Sequence, residues 1–261
     1  MSIHPSAIVA EGAVVPESCT VGPFCVLGPE VTLGEGCELI SHVVIEGRTT
    51  LGARNRVSPF TTIGIAPQDL KYHDEPTGCT IGDDNTIREF ITISRGTVGG
   101  GGMTRIGSNC LFMAYCHIAH DCVVGDNVIM ANQGTLAGHV TVEDWAIIGA
   151  MSPVHQFCRV GKHAYIGGGT ITTQDVMPFS LISAKRDNKA YGLNKVGLAR
   201  RGFTPEQIRE LSTAMRLLTN GKKNTTQALE AINDMLASGA GDEHVKYLAE
   251  FVASSERGVI K

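Results

Sequence analysis

The chain has 261 residues, enough for one large domain or a domain with an appendage. Hydrophobic content is 43% with only 5% aromatic residues and 31 glycines, so the core is built of aliphatic and small residues. A net charge of −4 excludes a global pull toward nucleic acid or anionic membranes, and neither a signal-peptide pattern nor a run of ~20 apolar residues occurs; the expectation is a cytoplasmic protein with no membrane span.

From the first residues onward the pattern repeats every six. Ile3, Val9, Val15, Val21, Leu27, Leu33, Leu39, Ile45, Leu51, Val57 and Ile63 form one aliphatic series. Asp69 and Glu75 break it, and it resumes in phase at Ile81, Ile87 and Ile93. After a gap it runs again from Ile106 through Phe112, Ile118, Val124, Met130, Leu136, Val142, Ile148, Val154 and Val160 to Ile166. Neither an α-helix nor a simple alternating strand has this period. A solenoid does: each six-residue unit forms one face of a prism, and three units close one coil. Each aliphatic residue then points inward and stacks on its equivalent about 4.7–4.9 Å away in the next coil. All eight cysteines sit two residues before a repeat position, a small-residue slot at the corner of the coil. That phase, with no CxxC, speaks against disulfides or a metal centre.

Two segments leave the coil. They span 66–80, with QDLKYHDEP, and 96–105, with GTVGGGGMT; both are polar or glycine-rich and are expected to loop outward. The period is gone by about Ser183, so the β-helix is assigned to 1–183 and a C-terminal helical domain to 184–261. In the latter, Thr204-Pro205-Glu206-Gln207 reads as an N-cap, a proline at N1 and a capping-box glutamine. Thr225 to Leu236 and Asp242 to Ala253 also have helical spacing, with glycines 221, 239 and 241 between segments. Such a domain would cover the open end of the β-helix.

The polar residues concentrate between 115 and 156, where His117, His120, His139 and His155 lie. Counting by eighteen puts His120, Gly138 and Gln156 in one column and Asp121 with His139 in the next. A histidine beside an acid, with a glycine amide one coil away, has the parts of acyl transfer. The imidazole takes a proton from a hydroxyl nucleophile, Asp121 orients it, and the Gly138 N–H stabilises an oxyanion. No serine or cysteine nucleophile is suggested beside the histidine, so transfer is expected to be direct. Between 185 and 201 six lysines or arginines face one acid, which points to an anionic partner such as a phosphate or an acidic carrier protein. The glycines at 99–102 form neither GxGxxG nor a P-loop.

QDLKY (68–72), RGT (95–97), HIAHDC (117–122), LAGHV (136–140), VHQF (154–157) and RRGF (200–203) together make the chain similar to the UDP-N-acetylglucosamine acyltransferases over essentially its whole length. The resemblance implies a left-handed parallel β-helix, although parallel crossovers are usually right-handed. It implies a homotrimer with sites between subunits, and transfer of a 3-hydroxyacyl chain from acyl carrier protein to the 3-OH of UDP-N-acetylglucosamine, the first step of lipid A biosynthesis. No cofactor is implied, since acyl-phosphopantetheine arrives on acyl carrier protein, and no metal. By the same resemblance His120 is the general base, Asp121 its partner and Gly138 the oxyanion donor. Asp69, His117 and His139 hold the sugar, with Gln68 and Lys71 beside them. His155, Gln156 and Arg201 contact the diphosphate and nucleotide, and Asn194 and Arg200 contact nucleotide or carrier. The acyl channel runs past Tyr165 toward Gly168. The chain departs from the family pattern at Ser94, Tyr165 and Val196.

Three other readings compete. A zinc hydratase resembling β-helical carbonic anhydrases would use the histidines as ligands, but leaves the first loop, the basic stretch and the helices without a role. The related N-acyltransferases carry an extra N-terminal domain, for which repeats starting at Ile3 leave no room. A non-enzymatic scaffold predicts that His120→Ala alters packing alone. A 3-amino sugar acceptor stays open, as does the preferred chain length.

Overall fold

A computed structural model describes residues 2–183 and 189–261. Short parallel strands, mostly of two residues, stack into three sheets that wall a triangular prism. Successive partners lie eighteen residues apart, as in Thr20↔Glu38, Val26↔Val44 and Thr32↔Thr50. The repeat residues fill the prism in three stacks. One runs Val21, Leu39, Val57, Ile87, Phe112, Met130, Ile148 and Ile166, all buried. Each such side chain contributes roughly 1.5–3 kcal/mol by leaving water, and none can do so without the coils on either side.

The insertions add residues without disturbing this register. Across the first, Arg48 pairs with Gly78, and across the second Gly78 pairs with Met103. Gly78–Ile81 and Met103–Ile106 are therefore strands, and the excursions end before them. The expected loops 66–80 and 96–105 are each shorter at their C-terminal side, because Cys79 and Thr104 are buried in the coil.

Most turns at the prism's corners place one residue in the left-handed backbone region. One corner carries Phe24, His42, Phe60, Phe90 and Tyr115, with φ between 51° and 65°. Their rings form a continuous outer ladder with centroids 4.8–5.1 Å apart. A second corner carries Asp121, His139 and Phe157, and a third Asn109, Asn127, Trp145, His163 and Phe179. The eight cysteines are free and buried. Several donate their thiol to a carbonyl fifteen residues on, such as Cys122 to Ala137 O at 3.2 Å and Cys37 to Gly52 O at 3.1 Å. Burial pushes the Cys79 and Cys122 thiols up to about 12, so they are inert fillers.

The last coil is two residues short, with Tyr165 opposite Leu181. Ser180–Ser183 then pairs antiparallel with Lys189–Leu193. Lys189–Leu193, expected within the helical domain, is thus a strand that extends one sheet by an antiparallel pairing. Helices α1 (Lys195–Arg200), α2 (Pro205–Thr219), α3 (Thr225–Ala237) and α4 (Glu243–Ala253) follow. Thr204 and Gln207 form the expected reciprocal capping box on α2, and Asn224 with Gln227 forms another on α3. Leu211, Leu218, Ile232, Leu248 and Val252 make a second core that meets the β-helix at Met177 and Phe179. The C-terminal segment closes on the last coil, where Ile260 N–H donates to Asp175 O at 2.9 Å.

Candidate functional site

His120 and Asp121 form the turn between strands His117–Ile118 and Val123–Val124. Asp121 is buried, its side chain only 1% exposed, while that of His120 is 16% exposed. The carboxylate accepts from His120 Nδ1 at 2.8 Å, from Thr97 N–H at 2.8 Å and from the Thr97 hydroxyl at 2.6 Å. Because the carboxylate accepts, the His120 proton sits on Nδ1 and the lone pair on Nε2. That imidazole is a general base with its orienter in place. His139 Nε2 lies 3.7 Å from the same carboxylate, and the two imidazoles meet edge to face at 5.2 Å.

Gly138 lies against His120, as the column count requires. A Cβ at this position would stand 2.6 Å from His120 Cε1, so the imidazole has room only over a glycine. The amides on either side are tied up: Ala137 N–H donates to Val154 O and His139 N–H to His120 O, while the Gly138 N–H has no acceptor among the described residues. His117 Nδ1 pairs with Thr92 Oγ1 at 2.7 Å. Burial, aided by the charge of His120, holds its pKa below the ordinary value, so His117 works as a neutral hydrogen-bonding group.

The first excursion folds over this column within the same chain. Arg95 donates to Tyr72 Oη at 2.7 Å and to Gly64 O at 2.9 Å, pinning the loop. Asp69 and Lys71 then share a cavity of about 300 Å³ with Thr97, His139 and Phe157. Sites between subunits would allow Asp69 and the catalytic column to meet across chains; the pinned loop brings them together within one. Gln68 is exposed beside this loop. His155 and Gln156 are exposed at the next coil, where Arg257 approaches His155 Nδ1 at 3.4 Å.

Arg201 is elsewhere. Its guanidinium lies 5.3 Å over the Trp145 ring on the third corner, with one nitrogen buried and unpaired among the described residues. One chain therefore does not bring Arg201 to His155 and Gln156. Tyr165 and Arg200 line a second cavity, about 350 Å³, with Val196 beside them, and Gly168 is exposed at the following turn. Asn194 lines the same cavity and has a structural task as well. It is buried, caps α1 by accepting from Gly197 N–H at 3.2 Å, and donates to His163 O at 3.1 Å. Ser94 is buried, and Lys185 and Arg186 of the basic stretch lie outside the described residues. Size does not mark the site: a cavity of about 530 Å³, larger than either of these two, lies between α4 and Thr141–Asp144 and holds none of the candidate residues.

Sequence reasoning missed Thr97 and Gly100. Counting by eighteen back from Asp121 lands on Met103, because the second excursion breaks the arithmetic. Only the RGT marker pointed near them.

A family model described as UDP N-acetylglucosamine O-acyltransferase, domain 2, matches residues 175–260, and one for the bacterial transferase hexapeptide matches 103–138. The solved acyltransferase structures from Moraxella catarrhalis (39% identity, 100% of both chains, TM-score 0.94) and Acinetobacter baumannii (37%, 99% of both, 0.95) superpose over the full length. The architecture is accordingly an all-β left-handed parallel β-helix followed by helices. A curated relative from Burkholderia lata, named acyl-[acyl-carrier-protein]--UDP-N-acetylglucosamine O-acyltransferase, is 47% identical over 99% of each chain. With that identity and the hexapeptide prism, this chain belongs to the UDP-N-acetylglucosamine O-acyltransferase family.

Proposed function

We propose that the protein moves a 3-hydroxyacyl chain from acyl carrier protein to the 3-OH of UDP-N-acetylglucosamine, the opening step of lipid A biosynthesis. The observation that carries this reading is His120, held by Asp121 at 2.8 Å with Nε2 free, packed against Gly138. His120 Nε2 removes the proton of the sugar hydroxyl as its oxygen attacks the thioester carbonyl. The Gly138 N–H donates to the oxyanion. The C–S bond then breaks, and the imidazolium returns its proton to the leaving thiolate. Asp69, Lys71, His117 and His139 hold the sugar, with Gln68 beside the loop and His155 and Gln156 toward the diphosphate. The pantetheine comes with acyl carrier protein, so no resident cofactor takes part. The exposed basic residues Lys195 and Arg200 beside the Tyr165 cavity suit an acidic carrier. A cytoplasmic setting suits eight unpaired thiols.

The working form is a homotrimer. His120 and His117 lie on one side of the aromatic corner; Tyr165, Arg200 and Arg201 lie on the other. Three copies arranged about an axis along that corner set one chain's His120 side against the next chain's Arg201 side. The same closure covers Phe24, Phe60, Phe90 and Tyr115, each between 42% and 57% exposed in one chain.

One observation bears on the zinc reading: donor atoms of His120, Asp121 and His139 lie within 4.8 Å of one another. Tetrahedral ligands at 2.0–2.1 Å from zinc stand about 3.3 Å apart. The His120–Asp121 separation of 2.8 Å instead fits a shared proton.

The test is transfer from a series of 3-hydroxyacyl carrier proteins to UDP-N-acetylglucosamine, by wild type and His120→Ala. Loss of about 10²–10⁴ in kcat for the variant is expected. A wild type inactive with this sugar but active with its 3-amino analogue would move the acceptor from oxygen to nitrogen. Inactivity with both would remove the substrate assignment.

A further inference from the structure

We infer that Thr97 is a positioning residue for the reaction, fixing the Asp121 carboxylate so that its interaction goes to His120. The inference rests on His120 being the base. Both Thr97 donors end on Asp121: the amide on Oδ1 at 2.8 Å, the hydroxyl on Oδ2 at 2.6 Å. The hydroxyl oxygen in turn accepts from Gly100 N–H at 3.2 Å, which aims its own proton at the carboxylate. Gly100 closes the other side: a Cβ there would lie 2.0 Å from Asp121 Cγ. The turn from Thr97 to Gly100 thus wraps the carboxylate, and a glycine is the residue that lets it approach.

The need for such a clamp is visible in the surroundings. Oδ2 has two imidazole neighbours, His120 Nδ1 at 2.8 Å and His139 Nε2 at 3.7 Å. A carboxylate free to rotate would divide itself between them. The Asp121 side chain is 1% exposed, so water is not at hand to replace a lost donor. With Thr97 bound, Oδ1 and one direction of Oδ2 are taken, and His120 receives the direction that remains.

The experiment compares Thr97→Val and Thr97→Ser in the intact enzyme. The valine keeps the shape and the amide but lacks the hydroxyl. Its kcat is expected to fall about ten- to a hundredfold, the size of a hydrogen bond to a buried charge, with KM for the nucleotide sugar little changed. Thr97→Ser is expected to restore activity to near wild type. In an Asp121→Ala background, where no carboxylate is left to hold, Thr97→Val should add less than about a twofold loss. Should the valine variant fail to assemble, Thr97→Ala is measured in its place. An unchanged kcat, a rise in KM alone, or a loss that persists undiminished in Asp121→Ala overturns the inference; the last would mean that Thr97 merely folds its turn. If His120→Ala keeps wild-type activity, the base assignment fails first. If His120 matters and Thr97→Val does not, only the clamp is lost.

Discussion

The second and third corners of the prism share a backbone and differ in chemistry. His139 and His163 both occupy left-handed turn positions, φ 62° and 58°, and each stacks on a phenylalanine of the next coil, Phe157 and Phe179. At His139 the imidazole reaches toward the Asp121 carboxylate and a polar cavity. His163 is 6% exposed as a residue and its Nδ1 has no partner among the described residues. Burial, with the charges of Arg201 and Lys162 beside it, pulls His163 down to about 4. The repeat supplies both corners with the same platform. What decides their use is what the non-repeating parts bring. The excursion after Arg95 delivers two donors to Asp121, whereas the helical region seals His163 under Phe203.

The most damaging way to test the first of these corners leaves every titratable group in place. Gly138→Ala is sterically mild for the backbone, but its Cβ meets the His120 ring at 2.6 Å at Cε1 and 2.9 Å at Nε2. The ring must move away from the developing oxyanion, and kcat is expected to fall about a hundredfold or more. Thermal stability measured alongside should change little. A Gly138→Ala enzyme with normal kcat would show that the ring tolerates displacement, and that this corner is no more ordered for chemistry than the other.

Legibility followed the same division. The six-residue period gave the prism, its core residues and the His120–Gly138 column, because those depend only on spacing within unbroken coils. The capping box at Thr204 is legible without any period, since a cap is local. The period did not give Thr97 or Gly100, whose approach to Asp121 depends on how an excursion doubles back. Nor did it separate Arg201 from His155: counting locates residues on corners of the regular coil, and Arg201 lies beyond it. Lys189–Leu193 is indistinguishable by spacing from the helical region, because a single closing strand has no period to display.

Subunit mixing asks whether the two corners meet. His155→Ala and Arg201→Ala chains, each inactive alone, should recover about a quarter of wild-type activity when mixed at random, because one site in four then combines an intact half from each. His120→Ala mixed with Asp69→Asn should recover none, since the first loop folds over its own column. Recovery in the second mixture and not the first would reverse which residues act within a chain.

The smallest effect concerns the third corner and stability alone. An unfolded histidine titrates near 6.5, whereas His163 in the fold stays neutral down to about 4. Between these values the unfolded chain binds the extra proton. Stability is therefore intact above about pH 6.5 and is lost progressively as the pH falls toward 4, with His163 accounting for about 2 kcal/mol at pH 5. His163→Phe keeps a ring among Trp145, Phe179 and Phe203 and keeps the backbone carbonyl that Asn194 holds. Urea midpoints at fixed protein concentration should fall less between pH 7 and pH 5 for this variant than for wild type. Glu143, raised by its burial, shifts both proteins alike and cancels in the comparison. Equal losses would mean that His163 takes up its proton as readily folded as unfolded, and that the helices do not seal the third corner from water.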